Sequence, residues 1–177
     1  MADLQQVMLP KTISTGHGTR PVARVLVIGL GNPILGDDGV GWRIAEEVAS
    51  RLGRRDDVEV DCLAVGGLGL MERMLGYEHV VLVDSLETGN SAEGAVTVIS
   101  LEDLQNPGLG HSASAHDASL VTALETARLM GAYVPSRVDI VAVEVRTGLD
   151  FSDQLSPQIA LAVPIAAQRV LELLPPN

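Results

Sequence analysis

Short apolar runs alternate along the chain with longer stretches in which apolar residues recur every three or four positions. The runs predict buried strands, because a strand that is covered on both faces needs no polar alternation. The longer stretches predict amphipathic helices; Ile44, Val48 and Leu52, for example, would share one helical face. The predicted strands are residues 24–30, 58–65, 79–86, 94–101 and 137–145, and the main predicted helices are residues 40–53, 68–77, 117–131 and 156–174.

The order of these elements predicts an α/β three-layer sandwich, in which helices cover both faces of a twisted five-stranded sheet. Only residues 87–94 separate the third strand from the fourth, fewer than a parallel crossover needs. We therefore expect the fourth strand to be an antiparallel neighbour of the third, which makes the sheet mixed. In the last helix, Ser156 and Pro157 suit the N-cap and the first helical position, and Pro164 is expected to kink or break it.

The length of 177 residues corresponds to one domain, which we expect to span residues 23–177. Residues 1–22 are polar, show no periodicity and contain no apolar core of a secretory signal, so a flexible leader is expected there. No run approaches the ~18 apolar residues of a membrane span, and no association with a membrane is expected. The single cysteine, Cys62, is expected to lie inside a strand and to be packed in the core, and it suits a reducing, cytoplasmic location.

The charge balance narrows the possible partners. Twelve basic and twenty-three acidic side chains give a formal net charge of −11. A surface of this kind repels a phosphate backbone, which argues against nucleic acid as a partner.

The turn after the first strand, VIGLGNPILGDDGVG, contains candidate chemistry. Gly29 and Gly31 match the first two glycines of a dinucleotide-binding turn, but the third position is Ile34. Asp37 and Asp38 would then face a pyrophosphate, which is electrostatically unfavourable. One of the two carboxylates is expected to cap the following helix. The other is left ionised near the helix N-terminus and can bind a cation.

Two further candidates lie at element ends. Asp84 ends an otherwise apolar strand, where it either accepts hydrogen bonds from loop amides or belongs to a site. His116 falls in the first turn of a helix, where the helix dipole favours the neutral, metal-binding imidazole; the alternative is a solvated histidine. His111 is its rival, and His79 and His17 are weaker candidates.

Asp38, Asp84 and His116 together form a set of two carboxylates and one imidazole. Three protein ligands leave coordination positions open on a metal ion. This suits a catalytic or substrate-bridging metal better than a closed structural one.

From about Arg24 to Leu174 the sequence resembles the hydrogenase maturation proteases, the endopeptidases that trim the C-terminal tail of nickel-iron hydrogenase large subunits. GLGNPILGDDGVGWRIAEEV matches the family's Gly-x-Gly-Asn turn, acidic pair and helix-opening glycine. Asp38 matches the family's first metal-binding acid, Asp84 in VVLVDSL its second, and His116 in SAHDASLVTAL its histidine. The final helix with its internal proline also matches.

The resemblance implies a phosphorylase/hydrolase-like fold and removal of the C-terminal extension of a large-subunit precursor after nickel insertion. Asp38, Asp84 and His116 would contact nickel carried by the precursor, which is the recognition element, so no tightly bound intrinsic cofactor is expected. The peptide bond would be attacked either through the metal, which polarises the carbonyl or activates water, or with Asp38 as base toward water, as in an aspartic-type peptidase. A monomer with this precursor as its partner is expected.

The sequence departs from the family in one loop. Where many members carry Asp-Gly-Gly-Thr, this chain has Val65 and Leu68 on either side of two glycines, a change that bears on partner identity more than on activity. The resemblance would allow a catalytic role for the family's acid at that position, but Val65 in this chain has no carboxylate to perform it.

Three other classes of protein share some of these features. GLGNP also opens peptidyl-tRNA hydrolases, whose tyrosine and Thr-Arg-His-Asn stretch this chain lacks. A metal-dependent hydrolase of a small substrate, or a non-enzymatic nickel chaperone, could use the same three ligands.

Overall fold

The computed structural model of the protein describes residues 24–104, 115–146 and 151–176, without the side chains of residues 104 and 115–119. The predicted leader at residues 1–22 lies outside the described residues, as do His17 and His111.

A mixed five-stranded sheet forms the centre of the structure, as predicted. Its strands are β1 (Val25–Leu30), β2 (Val58–Leu63), β3 (His79–Leu86), β4 (Val96–Ser100) and β5 (Arg137–Glu144). They lie in the order β2-β1-β3-β5-β4, and all neighbours are parallel except β4 and β5. The carboxyl ends of four parallel strands therefore meet at one edge of the sheet, the edge at which sites of α/β proteins are usually found.

Helices cover both faces of this sheet. They are α1 (Val40–Leu52), α2 (Gly67–Met74), the short α3 (Leu101–Leu104), α4 (Ala115–Leu129) and α5 (Pro157–Leu173). On one face α1 packs against α5, and on the other α2 packs against α4. No helix among the described residues combines the length and the apolar character that crossing a bilayer requires.

Alternate residues of the central strands supply two separate cores. In β3, Val81 and Val83 pack beneath α1 and α5, whereas Val80 and Leu82 pack beneath α2 and α4. All four side chains are at most 2% exposed. Because both faces are covered, β3 is apolar at each of these four positions, which explains why an uninterrupted apolar run predicted this strand correctly.

The position of β4 differs from the prediction. The strand is antiparallel, but it pairs with β5, where Val98 lies opposite Val141, and not with β3. Both edges of β3 are already paired, with β1 and with β5. The link between β3 and β4 crosses the end of β5, where the buried carboxylate of Glu144 accepts hydrogen bonds from the amides of Thr88 and Gly89. The short link thus excluded a parallel neighbour without specifying which strand β4 would join.

Pro164 was expected to kink or break the last helix. The helix is continuous across Pro164, so it is not broken there, whereas a kink stays a prediction. Ser156 and Pro157 occupy the N-cap and the first helical position as predicted, although the Ser156 hydroxyl makes no capping hydrogen bond within the described residues. Pro164 lies on the exposed side of α5, and so does Ala160, whose carbonyl loses its helical partner. Water can hydrate that carbonyl, so the proline is tolerated inside the helix.

Candidate active site

The turn after β1 folds back tightly on itself. Gly31 has a φ of +114°, and a Cβ atom at this position would lie 1.9 Å from the carbonyl oxygen of Asp38. Only glycine permits this conformation and this close approach. The turn continues into a 3₁₀ helix (Gly36–Gly39) that runs directly into α1 and contains both members of the acidic pair.

Neither member of the acidic pair caps the helix that follows it, contrary to the prediction. The Oδ2 atom of Asp38 accepts a hydrogen bond from the Asn32 amide at 2.7 Å, and its Oδ1 atom lies 3.4 Å from the Ser85 hydroxyl. Asp37 accepts a hydrogen bond from the Ser156 amide at 2.7 Å. The two acids lie inside the 3₁₀ helix instead of preceding it, and neither that helix nor α1 has a side-chain cap within the described residues.

Asp84 lies on β3, the strand adjacent to β1. Its Oδ1 atom accepts a hydrogen bond from the Ser85 amide at 2.8 Å, which agrees with its interpretation as an acceptor for a nearby amide. Ser85 therefore contacts both predicted acids, Asp84 through its backbone and Asp38 through its hydroxyl.

Asp38 and Asp84 line the same pocket, of about 280 Å³, at the carboxyl edge of the sheet. Both side chains are half-buried. Among the described residues that line this pocket, these two carboxylates are the only ionisable groups, and the remaining lining is apolar or neutral. Two negative charges in a partly apolar concavity attract a cation.

The third predicted ligand is only partly described. Position 116 lies in the first turn of α4, as predicted, but the His116 side chain is outside the described residues. Because α4 leads into the amino end of β5, its own first turn lies toward the carboxyl edge of the sheet, the edge of Asp38 and Asp84. Among the described side chains, which do not include His116, no three His, Cys, Asp or Glu residues are grouped so that they could hold a metal ion.

Asn32 and Ser85 contact the acids but were not among the predicted site residues. Asn32 belongs to the Gly-x-Gly-Asn turn, and Ser85 directly follows Asp84, so each lies beside a predicted feature. Nothing in the sequence pattern indicates that the Ser85 hydroxyl approaches Asp38, which is 47 positions away.

Cys62 lies on the edge strand β2, where it is half-buried. Burial, together with the negative charges of Glu46 and Asp61, raises the pKa of its thiol to about 11. The thiol is therefore protonated at neutral pH and is a poor nucleophile. Cys62 belongs to neither core cluster of the described residues, so its expected position in the core is not confirmed.

A larger cavity, of about 350 Å³, lies at the opposite edge of the sheet. Its buried carboxylate, Asp139, is already paired, because its Oδ2 atom lies 2.7 Å from both His79 Nε2 and Arg137 Nε. The chemistry of the lining, and not the volume, therefore favours the smaller pocket as the site.

Comparison with known sequences identifies relatives. The family model described as hydrogenase maturation protease (HycI) matches residues 42–173, about three quarters of the chain. The hydrogenase 2 maturation protease of Escherichia coli (strain K12) is 29% identical over 152 residues, which are 85% of this chain and 90% of that protein. The family-model match includes Asp84 and position 116, whereas Asp38 precedes it.

Solved structures give the same result. The hydrogenase maturating endopeptidase HybD from E. coli matches with a TM-score of 0.65 and 25% identity, over 84% of this chain and 90% of that one. The solution structure of an endopeptidase from E. coli matches with a TM-score of 0.68 and 26% identity over the same shares. The chain, an α/β protein with an acidic pocket at the carboxyl edge of its sheet, therefore belongs to the hydrogenase maturation protease family.

Proposed function

We propose that the protein is an endopeptidase that removes the C-terminal extension of a nickel-iron hydrogenase large-subunit precursor after nickel insertion. In this proposal the nickel belongs to the precursor and is the element that the protease recognises. The proposal is carried by the convergence of Asp38, from the turn after β1, and Asp84, from β3, in one pocket without another ionisable group among its described lining residues.

The donor set supports a metal that arrives with the substrate. Two carboxylates, with His116 as the third ligand, supply only part of a coordination shell and leave positions for the precursor's own ligands. The same three ligands could also hold a resident ion, as in catalytic zinc sites with three protein ligands, so the metal content of the isolated protein distinguishes the two cases.

Asp38 is assigned the catalytic role of base toward water. Water adds to the carbonyl carbon of the scissile bond while Asp38 accepts a proton from it; the C–N bond then breaks, and the proton passes to the leaving amine. The Asn32 amide holds Oδ2 of Asp38 at 2.7 Å, which leaves Oδ1, 3.4 Å from the Ser85 hydroxyl, as the oxygen that accepts the proton.

Apolar side chains beside the pocket are proposed to contact the precursor. Val65, which lines the pocket, is 53% exposed, and Leu68, at the start of α2, is 69% exposed. Exposed aliphatic groups next to a site favour an apolar partner surface. We infer that these two residues help to determine which precursor is bound, in place of the acid and threonine that many relatives are expected to carry.

Cleavage of purified, nickel-loaded precursor tests the proposal. Asp38→Ala, Asp84→Ala and His116→Ala are each expected to reduce tail release by about 100-fold or more, the effect typical of losing a catalytic acid–base group, without unfolding the protein. Asp56→Ala is the matched control, because Asp56 is an exposed acid just before β2, at the opposite edge of the sheet. Full activity in the double variant Asp84→Ala/His116→Ala would remove the site assignment.

The same preparation separates the other classes. A metal-dependent hydrolase of a small substrate would carry close to one metal ion per isolated chain, whereas we expect far less. A nickel chaperone would bind the precursor and leave its tail in place, whereas we expect a shortened large subunit.

The protein is further proposed to work in the cytoplasm as a monomer. The single cysteine supports a reducing compartment, since it cannot form a disulfide within the chain.

A further inference from the structure

The two neighbouring acids of the 3₁₀ helix have different surroundings. Asp38 lines the pocket, whereas Asp37 is not among the described residues that do so. We propose that Asp37 is a positioning residue, which binds the start of α5 and thereby holds Asp38 in its orientation toward the pocket. This inference rests on the proposed function of Asp38.

The contact between Asp37 and α5 is a single strong hydrogen bond. Oδ1 of Asp37 accepts the Ser156 amide at 2.7 Å, across 119 positions of sequence. Ser156 is the N-cap of α5, so the carboxylate lies near the positive end of the helix dipole, and a charged acceptor strengthens the bond. The Ser156 hydroxyl is buried and makes no hydrogen bond within the described residues, so it does not replace Asp37 as the group that holds this helix end.

The chain immediately before Asp37 is attached to the same segment. Leu35 and Ser152 form an isolated parallel bridge, in which the Gly36 amide donates to the Ser152 carbonyl at 2.8 Å and the Ser152 amide donates to the Ile34 carbonyl at 3.1 Å. The attachment thus extends along residues 34–37 and ends at the residue before Asp38.

The segment that receives these bonds is itself fixed to the body of the protein. It continues into α5, which packs on α1 through buried residues such as Ile159 and Ala162. The Arg43 side chain on α1 also donates a hydrogen bond to the Asp153 carbonyl at 3.0 Å. Asp37 therefore connects the loop of the acidic pair to a part of the structure that packing holds in place.

Two groups among the described residues contact the Asp38 carboxylate: the Asn32 amide at 2.7 Å and the Ser85 hydroxyl at 3.4 Å. Without the hydrogen bond that the Ser156 amide donates to Asp37, the backbone bonds of Ile34 and Gly36 to Ser152 remain, but the attachment nearest to Asp38 is lost, so this end of the 3₁₀ helix can shift relative to β3. A shift of about 1 Å in a reacting group is enough to reduce a rate by about 100-fold.

Three variants test this inference. Asp37→Ala removes the acceptor, Asp37→Asn keeps a neutral acceptor at the same place, and Arg43→Gln is the matched control that loosens the same segment at a point away from the acidic pair. Tail release from nickel-loaded precursor, thermal unfolding and hydrogen exchange of the Asn32 amide are measured for each. That amide reports directly on Asp38, because it donates to the Asp38 carboxylate.

Asp37→Ala is expected to lower tail release by about 10- to 100-fold, the range typical of groups that orient a site residue, and to speed Asn32 exchange about 10-fold or more. Asp37→Asn is expected to stay within about threefold of the wild type in tail release and in Asn32 exchange, since a neutral hydrogen bond retains roughly half the strength of a charged one. Arg43→Gln is expected to leave both unchanged. If Asp37→Ala does not fold, Asp37→Glu replaces it, because the longer side chain keeps the charge and displaces the acceptor.

Wild-type activity and Asn32 protection in Asp37→Ala would overturn the inference. Equal impairment of tail release in Asp37→Asn would also overturn the inference, since the charge of Asp37 and not its hydrogen bond would then matter. An equal loss of Asn32 protection in Arg43→Gln would overturn it as well. Failure of the proposed function is a different observation: Asp38→Ala would remain active, while Asn32 exchange would still respond to Asp37.

Discussion

At the residue scale, the site depends on two glycines that allow backbones to approach closely. A Cβ atom at Gly31 would lie 1.9 Å from the Asp38 carbonyl oxygen. At Gly41, in the first turn of α1, it would lie 2.3 Å from the Leu30 carbonyl oxygen and 2.4 Å from that of Val83. The start of α1 therefore lies directly against the ends of β1 and β3, the strands that lead to Asp38 and Asp84.

Replacing the glycine next to Asp38 should disrupt both stability and activity. Gly31→Ala is expected to lower the free energy of unfolding by about 1–3 kcal/mol, because alanine is strained at a φ of +114°, and to reduce tail release by about 100-fold. Gly53→Ala is the control: its φ is +62° and no atom lies within 4 Å of the added Cβ, so it carries backbone strain without a clash. Urea unfolding and the cleavage assay measure both variants. Wild-type activity in Gly31→Ala would show that the tight turn does not position Asp38.

The sequence allowed some of these contacts to be predicted and not others. Asp38 and Asp84 could be expected to meet, because each follows or ends a predicted parallel strand and such ends share one edge. The capping role expected for one member of the acidic pair was wrong, since the bond from Asp37 to Ser156 joins residues 119 positions apart. Local patterns contain no information on a contact of that range.

At the element scale, a buried polar cluster joins the amino ends of β3 and β5. Asp139 accepts hydrogen bonds from Arg137 and from His79, both at 2.7 Å. A carboxylate can only accept, so His79 Nε2 carries the hydrogen in this contact. Burial lowers the pKa of His79, against the opposing effect of Asp139, whose charge is already compensated by Arg137. The imidazole is therefore neutral in the folded protein at neutral pH.

This cluster predicts how stability changes with pH. The pKa of His79 is lower in the folded than in the unfolded protein. The contribution of His79 to the free energy of unfolding is therefore fully present above its unfolded pKa of about 6.5 and is lost as the pH falls through its folded pKa. The free energy of unfolding should thus decrease on acidification from pH 7.5 to 5.5, with a smaller decrease in His79→Gln. Urea unfolding of both proteins across this range measures the difference. If the free energy of unfolding depended equally on pH in the two proteins, the lowered pKa assigned to His79 would be contradicted.

The sheet illustrates which element-level features are readable from sequence. Buried apolar runs predicted the central strands β1, β3 and β5, because burial on both faces removes the polar alternation. The edge strands β2 and β4 were also predicted, although they are only partly buried and β2 alternates apolar with acidic residues. The neighbour of β4 was not predictable, because β5, which separates it from β3, comes later in the chain. Pro164 was expected to kink or break α5, and the helix is not broken there. Whether a proline is tolerated inside a helix depends on the exposure of the carbonyl at Ala160, which is a tertiary property.

At the scale of the whole molecule, charge and topology agree with a cationic target. The chain has a formal net charge of −11, and the pocket that receives the ends of β1 and β3 contains two carboxylates without a basic group among its described lining. Apolar side chains at Val65 and Leu68 lie beside this pocket. This arrangement supports the proposal of a protein partner that presents a metal ion within an apolar surface.

The dependence of cleavage on the precursor's nickel tests this account most directly. Wild-type protease in excess is mixed with nickel-loaded or nickel-free precursor, and the released tail is followed by mass spectrometry. Since a metal contact is worth several kcal/mol, the loaded precursor should be cut on the order of 100-fold faster or more, with the nickel-free form left intact over the same period. Equal rates for the two forms would contradict the claim that Asp38 and Asp84 recognise the metal.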